Sequence, residues 1–165
     1  MLHIAPERCF EPKLKKLLKR NYITADLYDS HAMIKMDITE IIYPDDYFDV
    51  IYCSHVLEHV QDDRKAMKEF YRLLKPGGWA ILIVPIEAEK TFEDPSITEP
   101  SDRLKIFGQE DHVRIYGNDY IDRLIEAGFR VQISSARDLL KKIDQELMGL
   151  TSENEKVFYC TKKPN

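Results

Sequence analysis

Short apolar runs alternate with amphipathic stretches along most of this chain, and few architectures tolerate that pattern. Apolar runs of about four to eight residues predict strands, and apolar residues recurring every three or four positions predict helices. Their alternation implies an α/β domain with a mostly parallel sheet, because each helical crossover returns the chain to the same end of the sheet. The spacing predicts strands at Met1–Ala5, Tyr22–Asp26, Ala32–Met36, Phe48–Cys53, Trp79–Pro85, Phe129–Ser134 and Glu155–Thr161. It predicts helices from Phe10 to Leu18, with Pro12 in the first turn, from Gln61 to Lys75, and from Asn118 to Ala127 before Gly128. Ala66, Phe70, Leu73 and Leu74 should face the core. Lys75-Pro76-Gly77-Gly78 reads as a stop and turn, and Ala136–Leu150 as a polar helix or loop.

Residues 86–118 break the rhythm. They are acidic, carry Pro95 and Pro100, and show little periodicity. A loop longer than about 12–15 residues is usually functional or disordered, so this insertion is expected to select the substrate. The 165 residues suit one domain, residues 1–165, with this insertion inside it.

Charge and cysteine content narrow the partners. The net charge of −5, from 24 basic and 29 acidic side chains, argues against a nucleic-acid partner held mainly by phosphate contacts. The cluster Lys13, Lys15, Lys16, Lys19 and Arg20 reads as the solvated face of a helix. Three widely spaced cysteines, Cys9, Cys53 and Cys160, fit a reducing, cytoplasmic setting and show no zinc spacing. No apolar run is long enough for a membrane span. The oligomeric state is not legible.

In an open α/β sheet the ligand sits beyond the carboxyl ends of the strands, where the strand order reverses. The ends to inspect are Ala5-Pro6-Glu7, Asp26, Asp37 and Ser54-His55. Asp26 lies 19 residues after Glu7, close to the spacing of about 20 at which an acid meets a nucleotide ribose. A carboxylate accepts from both cis hydroxyls, which no neutral side chain does as well. Asp37 can accept from an exocyclic adenine amine. His55 and His59, at i and i+4, could share a helix face, a zinc-compatible spacing; no third ligand stands at a telling distance, so no metal is expected. Between Gly108 and Gly117, His112 is a possible general base, Arg114 an anion clamp and Tyr116 an orienting hydroxyl. The bland alternative for these three is a loop pinned by its own side chains.

The run Phe48-Asp49-Val50-Ile51, with Leu57-Glu58-His59-Val60 and Leu74-Lys75-Pro76-Gly77-Gly78, resembles the class I S-adenosylmethionine-dependent methyltransferases, in particular the small-molecule type. The resemblance covers about residues 1–133. It implies a Rossmann-like, seven-stranded and mostly parallel sheet with an antiparallel last strand. It also implies S-adenosylmethionine as cofactor, held by Ala5, Pro6, Glu7, Asp26, Leu27, Asp37, Ile38, Ser54, His55 and His59, and a small-molecule methyl acceptor. One departure is that Ala5 and Glu7 stand where the family has glycines. His3-Ile4-Ala5-Pro6-Glu7 is similar to a variant first motif of the family, and Glu7 can pair with the cofactor's ammonium group. The second departure concerns the start, since the family has a helix and strap before the first strand. Without such a lid, turnover is expected to be inefficient. Two other readings stay open. One is a nicotinamide-dependent oxidoreductase, which wants glycines that this chain lacks before Gly77. The other is a cofactor- or protein-binding module without turnover.

Overall fold

The computed structural model describes residues 1–135 and 156–164. Seven strands form the main sheet: β1 (Leu2–Ile4), β2 (Ile23–Asp26), β3 (Ile34–Lys35), β4 (Phe48–Ser54), β5 (Leu74–Ile83), β9 (Arg130–Ser135) and β10 (Lys156–Thr161). Their order is β3-β2-β1-β4-β5-β10-β9. The pairs among β1 to β5 are parallel, and β10 runs antiparallel to both β5 and β9. The last strand therefore lies inside the sheet, one place from its edge. The predicted polar stretch Ala136–Leu150 lies outside the described residues. Among the described residues, no helix is long and apolar enough to cross a membrane.

Each strand of the main sheet forms where the apolar runs predict, except that β5 starts at Leu74, well before Trp79, and takes over the end of the predicted helix. Helix α2 (Asp63–Leu73) buries one stripe, Ala66, Met67, Phe70 and Leu73, completely against the sheet. Asp62 caps it by accepting from the Lys65 backbone N–H at 2.9 Å, so the helix starts two residues later than the periodicity predicts. Lys75-Pro76-Gly77-Gly78 is not a free turn. It is part of β5, beside a register irregularity between Phe48 and Val50, with Gly77 at φ 77°. Helix α1 (Glu11–Leu18) carries the lysines on a solvated face; its apolar side is only partly covered, with Leu14 and Leu18 half-buried and Leu17 75% exposed.

The irregular insertion proves to be folded. It holds β6 (Ile86–Ala88), β7 (Phe92–Glu93), α3 (Pro100–Phe107) and β8 (Arg114–Gly117). Strand β8 is central in a small sheet, parallel to β6 and antiparallel to β7. These strands have two to four residues, too few for a period of two to stand out in sequence. The segment then runs into α4 (Tyr120–Glu126), whose Tyr120 and Leu124 are fully buried.

Gly117 closes this small sheet. A Cβ there would lie 2.3 Å from the Lys90 carbonyl carbon and 2.5 Å from the Thr91 nitrogen, both backbone atoms. Gly117→Ala should therefore cost about 1–3 kcal/mol of stability, the usual range for overpacking. Urea unfolding should show a lower midpoint at unchanged slope. An unchanged midpoint would mean that the turn at Lys90 yields freely.

Candidate functional site

The parallel register places the strand ends in one row. Ile4 pairs with Ala25 on one side and Cys53 on the other, so Ala5, Asp26 and Ser54 follow as neighbours at the carboxyl edge. The strand order reverses between β1 and β4, which makes this gap the crevice where ligands bind in such sheets. Among the described residues, four non-glycine residues have positive φ, and two of them, Ala5 at 46° and His55 at 53°, flank this crevice. Such a conformation costs about 1–3 kcal/mol and persists where the surroundings enforce it. Here the backbone does so. Ala5 donates its N–H to the Ala25 carbonyl at 2.9 Å, and His55 to the Ile83 carbonyl at 2.9 Å. Ala5 thus holds a positive φ without being glycine.

Glu7 is held by His3, to which the sequence reading gives no role of its own. His3 is completely buried in β1, with Nε2 2.6 Å from Glu7 Oε2 and Nδ1 2.7 Å from the Tyr22 hydroxyl. With Glu7 as acceptor, Nε2 carries the proton and Nδ1 accepts from Tyr22. Burial raises the Tyr22 phenol to about 12, so it keeps its proton. The His3 ring also stands edge-on to Tyr52, with centroids 4.9 Å apart. The carboxylate of Glu7 is thus fixed at the lip of the crevice.

Asp26 and Asp37 both close turns. Asp26 Oδ1 accepts from the backbone N–H groups of Tyr28 and Asp29 at 2.6 and 2.7 Å, and Leu27 between them is half-buried. Asp37 Oδ1 accepts from the N–H and hydroxyl of Thr39 at 2.8 and 2.7 Å, which holds its pKa below the ordinary value. Ile38 is packed into the core. Pro6 and Ser54 are half-buried along the same edge.

The segment after β4 departs from the helical reading. His55 is left-handed, and Leu57–His59 form a single 3-10 turn, so His55 and His59 do not share an α-helical face. His55 Nδ1 lies 3.4 Å from Glu58 Oε1; that carboxylate raises the imidazole pKa against the effect of burial. Glu58 is 1% exposed. The fold does not complete the His55/His59 pair; it groups His59 with Glu58 and His112 instead. The candidate ligand atoms of Glu58, His59 and His112 all lie within 4.8 Å of one another.

Arg114 and Tyr116 are brought together, but inward. Arg114 donates to the carbonyls of Leu57, Val60 and Gln61 and, at 2.9 Å, to Glu93. Tyr116 donates to Asp63 at 2.6 Å, and burial holds its pKa well above the ordinary value. Asp63 also meets Arg123 at 2.9 Å, and Arg123 reaches Glu93 at 2.9 Å. Asp63, Glu93 and Arg123 have no motif signature, and only the fold reveals them. This network pins the insertion to α2 and α4. A cavity of about 350 Å³ opens beside it, lined by Asp62, Glu93, Ile97, Arg103 and Val113 among others.

Comparison with known proteins agrees with this geometry. A family model described as a methyltransferase domain matches residues 9–82. Phosphoethanolamine N-methyltransferase 3 of Arabidopsis thaliana is 32% identical over 126 residues, covering 72% of this chain and 23% of that protein. A ubiquinone/menaquinone biosynthesis C-methyltransferase of Vibrio campbellii is 40% identical over 62 residues, covering 38% of this chain and 23% of that protein. The chain thus spans about a quarter of the length of these curated relatives. Among solved structures, the Haemonchus contortus phosphoethanolamine N-methyltransferase 2, in complex with phosphomonomethylethanolamine and S-adenosylhomocysteine, superimposes with a TM-score of 0.63 at 15% identity. That match covers 100% of this chain and 49% of the other, and at such identity it speaks for the fold. The strand order, the reversed last strand and the sequence match agree: the chain belongs to the class I S-adenosylmethionine-dependent methyltransferase family.

Proposed function

We propose that this chain binds S-adenosylmethionine across the carboxyl ends of β1 to β4 and transfers its methyl group to a small-molecule acceptor. The observation that carries this reading is the row Ala5, Asp26, Ser54, flanked by two left-handed turns at the switch point. In this reading Asp26 takes the ribose hydroxyls and Asp37 the adenine amine. Glu7, held by His3, takes the ammonium group, and the turns at Pro6 and His55 wall the sulfur side. The cofactor, when bound, supplies an electrophilic methyl on a cationic sulfur. The chain's residues hold donor and acceptor in line and limit water, and such positioning can contribute about 7–11 kcal/mol. The acceptor is chosen by the insertion between β5 and α4, which stands beside that edge. Arg114 and Tyr116 are spent on holding the insertion, so we assign them to positioning and not to the acceptor. The relatives' names span N-methylation and C-methylation, so they do not choose the acceptor class for this chain.

Asp26→Asn tests the cofactor half. The amide keeps an acceptor for the turn N–H groups but loses the charge that favours ribose hydroxyls. Charge-assisted hydrogen bonds contribute about 1.5–3 kcal/mol. Calorimetric titration with S-adenosylhomocysteine should therefore show affinity weakened by roughly 10–150-fold. Equal affinity would place the ribose elsewhere.

A further inference from the structure

We propose that Glu58, His59 and His112 form a binding site for a first-row divalent transition ion. The donor set is two imidazoles and one carboxylate, the combination that suits zinc, cobalt or ferrous iron over magnesium or calcium. The site is built from two distant stretches. Glu58 and His59 lie in the 3-10 turn after β4, and His112 enters from the segment before β8. The backbone joins them, because Val113 donates its N–H to the Glu58 carbonyl at 2.9 Å. Arg114 fastens the same turn from the other side by donating to the carbonyls of Leu57 and Val60.

Two further observations point to a cation. Glu58 Oε2 is buried and has no hydrogen-bond partner among the described residues, and Glu58 as a whole is 1% exposed. A buried carboxylate oxygen without a donor is costly, and a bound cation removes the cost. The second is an outer partner. Asp111 Oδ2 lies 3.1 Å from His59 Nδ1, which orients the ring and leaves Nε2 for an ion, as carboxylates commonly do behind ligating histidines. The rings of His59 and His112 already stand edge to face, with centroids 4.6 Å apart. Ligands about 2.1 Å from a tetrahedral ion are about 3.4 Å from each other, so side-chain rotations close the 4.8 Å spread. Three protein ligands leave at least one position for water or a ligand oxygen. The proposal stands apart from the cofactor reading, and its test uses no cofactor.

The test is titration of the chelator-treated chain with Co²⁺, in a Cys9→Ser background that removes the exposed thiol. Visible d–d absorption should saturate at one equivalent. His112→Ala and His59→Ala should abolish it. Asp111→Asn, at an exposed outer position, should weaken binding by roughly 10–100-fold. His31→Ala, far along the chain, should bind like the parent. Circular dichroism checks folding, and if the buried variants unfold, Asp111→Asn decides alone. Absence of a saturating band overturns the site, and so does parental affinity in the Asp111 variant or in a folded His112 variant.

Discussion

Asp63→Ala should destabilise the chain by about 3–5 kcal/mol, the range for breaking a buried ion pair from one side. Asp63 is 3% exposed at the first turn of α2, where the helix dipole also favours an anion. Its oxygens lie 2.9 and 3.1 Å from Arg123 and 2.6 Å from the Tyr116 hydroxyl. Without it, two guanidinium groups, 3% and 7% exposed, keep Glu93 as their shared counter-ion among the described residues. Asp63→Asn should cost less, since the amide still accepts from Tyr116 or Arg123 while losing the charge. Guanidinium denaturation reads both variants. The loss should reach the proposed ion site as well, because the network holds β8, and the segment just before β8 carries His112 to Glu58. A loss below about 1 kcal/mol in the alanine variant, the level of an exposed pair, would mean that the cluster is open to water.

The frame of the fold was legible because its signals are local. The apolar runs at Phe48–Ser54 and Trp79–Ile83 mark central strands, and the stripe Ala66, Phe70, Leu73 marks one buried helix face. Asp26 and Asp37 were visible as acids closing strands, and the structure puts both at the carboxyl edge. What escaped depends on contacts across distance. His3 sits inside an apolar run, where nothing local shows that its ring holds Glu7 and Tyr22. Arg114 and Tyr116 lie in a stretch dense with ionisable groups, and sequence cannot tell whether such groups face a ligand or one another. Their shared partner, Asp63, stands on another helix. His55 and His59 misled for a conformational reason: their spacing assumes a helix, and a left-handed His55 ends it. His112 reaches His59 and Glu58 from the segment before β8, in a small sheet whose strands are too short to show a period.

The central claim, a cofactor crevice at the β1/β4 switch, is tested most directly by thermal and chemical unfolding with S-adenosylhomocysteine and, in parallel, NAD. A ligand that binds only the folded state stabilises it by mass action, by about 2.7 kcal/mol at a free concentration 100 times its dissociation constant. In the proposed reading Asp26 faces the ribose, and Glu7, held by His3 at 2.6 Å, faces the ammonium group. It has Ala5-Pro6-Glu7 where a pyrophosphate cradle would need glycines to bring the backbone close. S-adenosylhomocysteine should therefore raise the unfolding midpoint in a saturable way, and NAD should leave it in place. Stabilisation by NAD with none from S-adenosylhomocysteine would contradict the account.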